Sequence, residues 1–176
     1  LYLHDLKPEA QAALRRLIQG KSPSAGRKAA NLMASLVGSD KDLEAREKRD
    51  IADSCTELAR STTNPLIEIP LWRTVWSLTE TILPRRSIRK HLRSTEMEVR
   101  SEAALALAEM GSFSGIRKIL KEVELESGER GRLASAYLKV NDLTNQYERE
   151  LAKQADRSSK YDYKLLDEIL DTFKTY

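Results

Sequence analysis

One segment of the sequence indicates the fold of this chain more clearly than the others: Glu98-Val99-Arg100-Ser101-Glu102-Ala103-Ala104-Leu105-Ala106-Leu107-Ala108-Glu109-Met110-Gly111. Four of its apolar residues recur at the spacing of one helix face: Val99, Ala103, Leu107 and Met110. A glycine follows the last of them, and glycine readily takes the left-handed backbone conformation that ends many helices. The stretch therefore predicts one helix with an apolar stripe, and the helix should end at Gly111.

A shorter helix is predicted immediately before it. Ile88 and Leu92 lie one turn apart and should share its inner face. A break follows at Ser94, and Thr95 with Glu98 has the spacing of a capping box, in which each side chain satisfies a free backbone donor. The two segments together predict a helical hairpin.

The same layout returns on both sides of this hairpin. Downstream, Ile116 and Leu120 occupy the first-helix positions, and Arg132 falls near the start of a second helix. Upstream, Arg27 and Gly38 repeat the spacing between the arginine and the final glycine of the opening stretch. Because one hairpin cannot bury its apolar face alone, we expect neighbouring hairpins to stack.

These residues resemble the HEAT-repeat family, particularly the short bacterial HEAT-like repeats also found in phycobilisome lyases. The resemblance rests on the Val99-Arg100 pair, the small residues Ala103-Ala104 and the terminal Gly111. It departs from the family at Gly131-Arg132, where a Val-Arg pair is expected. The resemblance implies an all-α fold, a short α-solenoid of helical hairpins with right-handed superhelical stacking.

The chain of 176 residues, 40% of them apolar, is long enough to bury one core. We expect a single helical-repeat domain over residues 1–176. Its expected parts are an N-terminal repeat, an irregular helical pair, the best-matched repeats and C-terminal helices that would cap the array, at 1–38, 39–83, 84–140 and 141–176.

Further helix positions follow from periodicity and turn residues. Helices are expected at 3–19, from about 40 to 60, from Pro70 onward and at 161–176, with Ser24 near one N-terminus. The alternation in Ile67-Glu68-Ile69 is too short for a strand, since a proline stands on each side.

The main candidate for partner binding is the basic run from residue 85 to residue 93. Its five cationic residues fall on one side of a helical wheel: Arg85, Arg86, Arg89, Lys90 and Arg93. The whole chain has 30 basic and 27 acidic side chains, so the excess of positive charge is concentrated in this run. It fits an acidic partner or phosphates. The plainer alternative is a solvated face, partly paired with nearby glutamates.

Trp72 and Trp76 lie one turn apart and form an alternative partner-binding pair, since exposed aromatic rings anchor peptides or stack bases. The apolar residues around them favour a place in the core. Arg100 and Arg132 resemble the recurring arginine of the HEAT-repeat family, which implies a hydrogen bond to an adjacent turn or helix end, with the stem packed on the neighbouring repeat.

Motifs for catalysis are sparse. His4 and His91 have no obvious partner set, and the lone Cys55 shares a helical phase with Ile51, which predicts a buried core thiol. No glycine-rich phosphate loop or nucleophile elbow occurs. We therefore expect no enzyme activity, no catalytic residues, no cofactor and no metal.

The sequence favours a non-catalytic scaffold for a protein partner. A nucleic-acid-binding repeat module is the alternative, and it requires Arg27, Lys28, Arg117, Lys118 and Lys121 to line up with the basic run. A repeat-based lyase or glycosylase is the third hypothesis. No apolar run approaches the roughly 20 residues that span a bilayer, and a cytoplasmic location is expected.

Overall fold

The computed structural model describes residues 8–39 and 43–155, and every regular element in these two ranges is helical. The all-α prediction is therefore confirmed for this part of the chain. The expected helix at 161–176 and His4 lie outside the described residues. The elements, in chain order, are α1 (Pro8–Gln19), α2 (Pro23–Ser39), α3 (Ala45–Ser61), α4 (Pro65–Thr79), α5 (Ile82–Arg89), a 3₁₀ turn (Lys90–Arg93), α6 (Met97–Glu109), α7 (Arg117–Glu124) and α8 (Glu129–Ala155).

The chain forms two compact units, which meet in sequence between Met110 and Gly111. In the first unit α4 is central, because it packs against α2, α3, α5 and α6. In the second unit α7 packs along α8. The solenoid stacking, its handedness and the single repeat domain stay predictions.

Helix α6 is buried on nearly all sides. The predicted stripe is confirmed, since Ala103 and Leu107 have no exposed surface and Val99 and Met110 are 1% exposed. Burial also includes Ala104, Ala106 and Ala108 on the other faces of the helix. A helix surrounded by neighbours needs small apolar residues all round, and the alanine-rich sequence supplies them.

Gly111 follows α6 with φ +69, which confirms the predicted helix end. The predicted capping box is wrong, because Glu96 is the N-cap residue of α6 and no side chain caps it. Arg100 instead donates from Nη1 to the carbonyl oxygens of Ser94 and Thr95, at 2.8 and 2.9 Å. The prediction that Arg100 binds an adjacent turn is therefore confirmed.

Helix α4 begins at Pro65, so the predicted start at Pro70 is wrong. The Asn64 side chain accepts a hydrogen bond from the backbone N–H of Leu66 at 3.0 Å, and Pro65 takes the first helical position, where its missing N–H costs nothing. Pro70 lies inside the helix, and the hydroxyl of Thr74 donates to its carbonyl oxygen. The earlier start brings residues 67–69 into the helix.

The start of α2 lies close to Ser24, as expected, whereas α3 begins later than the expected position near residue 40. Helix α2 starts at Pro23, and the hydroxyl of Ser22 rather than Ser24 accepts from a backbone N–H, that of Ala25 at 3.4 Å. Helix α3 starts after Glu44, whose backbone N–H donates to its own N3 side chain, Glu47. At both helices, the residue immediately before the first helical position therefore takes part in a local hydrogen bond.

Candidate functional site

The basic run occupies the end of α5 and the whole of the 3₁₀ turn, and we call residues 85–93 the basic segment. Pro84 and Ile88 are buried and hold the inner side of α5. Four cationic residues are exposed: Arg86, Arg89, Lys90 and Arg93. Arg85 is half-buried, so the prediction that all five share one exposed face is wrong for this residue.

Arg85 lies against an aromatic ring. Its guanidinium carbon is 5.9 Å from the ring centroid of Trp76, which is within the range of a cation–π interaction. Arg85 Nε and Trp76 Nε1 are both buried without a hydrogen-bond partner. Arg85 also forms no ion pair with any residue in the described ranges. Its charge is thus held near the surface, and none of the described carboxylates is paired with it.

Lys90 is compensated by a buried glutamate on α4. Its Nζ lies 2.8 Å from Oε1 of Glu68, whose side chain is only 8% exposed. Trp72 Nε1 donates to the same oxygen at 3.0 Å, and His91 Nε2 lies 3.0 Å from Oε2. These contacts join the 3₁₀ turn to α4 through side chains.

The environment of Glu68 has two opposing effects on its pKa. Burial alone raises the pKa of this carboxyl, but hydrogen bonds from His91, Lys90 and Trp72 outweigh burial and lower it from 4.5 to about 2. Glu68 therefore remains a carboxylate at neutral pH. It is the acceptor that both the lysine and the histidine need at the base of the basic segment.

Sequence reasoning missed this cluster. Glu68 stood between two prolines in a stretch without an assigned helix, and the prediction that His91 has no partner set is wrong. One local signal was available, because Glu68 and Trp72 have the i, i+4 spacing that places side chains together on a helix. The contact to His91 depends on how α5 packs on α4 and leaves no local pattern.

The two tryptophans have different surroundings. Trp72 is 3% exposed, which confirms the expected core position and leaves its ring inaccessible to a partner. Trp76 is half-buried beneath Arg85. An aromatic surface of two exposed indoles is therefore absent from this face of α4.

The additional cations that a phosphate-binding surface needs are partly engaged by carboxylates. In the first unit Arg27 forms ion pairs with Glu98 and Glu102 on α6. In the second unit Arg117 binds Asp142, which raises the pKa of the guanidinium and lowers that of the carboxyl. Three further lysines are exposed: Lys28, Lys118 and Lys121.

The cysteine occupies the core as predicted. Cys55 is 1% exposed, and its thiol donates to Met33 Sδ at 3.3 Å. Burial raises the pKa of the thiol to about 12, although the positive charge of Arg15 acts in the opposite direction. Over the described ranges, no three His, Cys, Asp or Glu side chains form a group that would hold a metal ion.

Comparisons with protein-family models, curated proteins and solved structures find no match to this chain. The HEAT-repeat resemblance thus rests on the residue pattern alone and stays a prediction. None of the described helices is long and apolar enough to cross a membrane.

Proposed function

We propose that this chain is a non-catalytic scaffold of HEAT-like helical hairpins whose basic segment recognises an acidic protein partner. One observation carries the proposal: the segment brings five cations together, and three of them, Arg85, Arg86 and Arg93, form no ion pair with a described residue. Like charges this close repel one another, so a partner that supplies carboxylates relieves the repulsion on binding.

The contacts that hold the basic segment in place also support recognition by a rigid surface. The buried carboxylate of Glu68 contacts both Lys90 and His91, and Ile88 is fully buried on the inner side of α5. A surface held in this way loses little conformational freedom when it binds, which favours affinity. Right-handed stacking of hairpins belongs to the same proposal, and the fully buried Ala103 and Ala104 would permit close approach of helices.

A protein partner is favoured over nucleic acid by the acidic residues around the other cations. Arg27 and Arg117 each have carboxylate partners within the chain, so two of the additional cations that a phosphate-binding surface needs are already compensated. A cytoplasmic location is also proposed, since the unpaired thiol of Cys55 fits a reducing compartment.

The proposal is tested by fluorescence anisotropy on the full chain. The probes are a short polyglutamate peptide and mixed-sequence DNA and RNA oligonucleotides, each titrated at low and at physiological salt. The variant Arg86→Glu/Arg93→Glu reverses two exposed charges of the segment. Lys28→Glu/Arg46→Glu is the matched control, because it makes the same charge change at exposed positions on α2 and α3.

We expect polyglutamate to bind the native chain at low salt and to bind the segment variant at least ~10-fold more weakly, while the control keeps most of the affinity. Equal loss in both variants would show that only net charge matters. Binding of the oligonucleotides without binding of polyglutamate would establish the phosphate alternative instead.

A further inference from the structure

Two large apolar side chains are exposed immediately before the basic segment. Ile82 is 60% exposed and Leu83 is 40% exposed, both in the first turn of α5. Single exposed leucines are common on protein surfaces. Two adjacent exposed apolar residues beside a cluster of arginines create a surface that is both apolar and cationic.

Helix geometry places these groups on the outward side of α5. Ile82 shares a face with Arg86 and Arg89, four and seven residues further along. Leu83 lies beside them on the turn adjoining Arg86. The opposite face is occupied by the buried residues Pro84 and Ile88. Apolar and positive groups are therefore interleaved on one exposed helix face instead of forming separate patches.

Arg85 completes one edge of this surface. It follows Ile82 by three residues, and its guanidinium is held over Trp76 with Nε buried. A guanidinium has further N–H groups, and its planar fork matches a carboxylate in a bidentate arrangement. Since Arg85 has no ion pair within the described chain, a carboxylate from a partner is the group that would satisfy it.

We propose that Ile82, Leu83, Arg85, Arg86 and Arg89 form a docking surface for an acidic peptide segment that also carries a bulky apolar side chain. The apolar side chain packs on Ile82 and Leu83, and flanking Asp or Glu carboxylates bind the arginines. This inference rests on the proposed recognition of an acidic partner, and it adds the apolar requirement.

Other occupants fit this surface less well. Nucleic acid would use phosphates and exposed aromatic faces, whereas Trp72 is buried and the ring of Trp76 lies beneath Arg85. A helix that lies in a membrane surface has a long apolar face. Helix α5 has 8 residues, and its exposed apolar part is limited to its first turn.

The test uses two peptides of equal negative charge on the full chain. One has leucines between its glutamates, and the other has serines at the same positions. Each is titrated against the native chain, Ile82→Ser/Leu83→Ser and the matched control Leu17→Ser/Leu32→Ser. The control residues are 49% and 44% exposed and lie on α1 and α2. Thermal unfolding shows that each variant is folded.

The native chain should bind the leucine peptide ~10-fold more tightly than the serine peptide. That preference should disappear in Ile82→Ser/Leu83→Ser and persist in the control. Equal binding of both peptides by the native chain would overturn the docking surface while leaving recognition of acidic partners intact. Binding of neither peptide would defeat both proposals. Phosphatidylserine vesicles are titrated in the same way as the peptides. Tighter binding to these vesicles than to the leucine peptide would also overturn the inference.

Discussion

Glu68 on α4 and His91 on the 3₁₀ turn are 23 residues apart in sequence, and Glu68 Oε2 lies 3.0 Å from His91 Nε2. The second oxygen of the same carboxylate accepts from Lys90 and Trp72. One buried carboxylate thus holds the turn that carries Lys90 and Arg93, two of the five cations of the basic segment. Its removal should affect both stability and the placement of the exposed arginines.

Replacing Glu68 with glutamine should lower the free energy of unfolding at neutral pH by about 1–3 kcal/mol, because a neutral amide replaces the buried carboxylate that accepts from Lys90 and Trp72 and lies beside His91. Urea denaturation followed by circular dichroism measures this change. Glu57→Gln is the control, since Glu57 is exposed on α3. Equal stability of the two variants would mean that the Glu68 cluster contributes nothing to folding.

The same carboxylate predicts how stability depends on pH. Because its pKa is lowered from 4.5 to about 2 in the folded chain, its contribution is fully present above pH 4.5 and is lost as the pH falls toward 2. The difference in unfolding free energy between the native chain and Glu68→Gln should therefore shrink across that interval. Denaturation curves at several pH values measure it, and a difference that stays constant from pH 6 to pH 2 would refute the assignment.

Replacing Asn64 with alanine should reduce the free energy of unfolding by about 1 kcal/mol, because the N-terminus of α4 loses its side-chain acceptor. Thr63→Ala is a suitable control at an exposed neighbouring position. Thermal or urea unfolding gives both values. If the two variants are equally stable, Pro65 alone is sufficient to begin the helix.

The thiol of Cys55 should resist modification in the folded chain. With a pKa of about 12 and 1% exposure, it is protonated and inaccessible at neutral pH. Ellman's reagent should therefore react very slowly with the native chain and fully with the urea-unfolded chain. Rapid reaction under native conditions would contradict a core position for Cys55.

Much of the fold follows from local sequence patterns. Val99, Ala103 and Leu107 form the predicted stripe of α6 and are buried, and Gly111 supplies the conformation that ends the helix. The contact of Arg100 with the preceding turn was also predictable, because the arginine lies close to that turn along the chain. Such features depend on residues separated by a few positions.

Features set by tertiary packing were not predictable in this way. Pro70 suggested a helix start, but the cap at Asn64 begins α4 earlier, and the helix accommodates the proline. The partners of Glu68 come from a different helix, so no spacing in the sequence reveals them. The helical-wheel prediction grouped Arg85 with the exposed cations. Arg85 is instead half-buried, because α5 packs beside Trp76.

Recognition of an acidic partner by the basic segment is tested most directly by nuclear magnetic resonance of the full chain, titrated with polyglutamate. We expect the largest amide shift changes to fall on residues 82–93 and to disappear in Arg86→Glu/Arg93→Glu. Shift changes confined to Arg117, Lys118 and Lys121 in the second unit, or none at all at low salt, would contradict it.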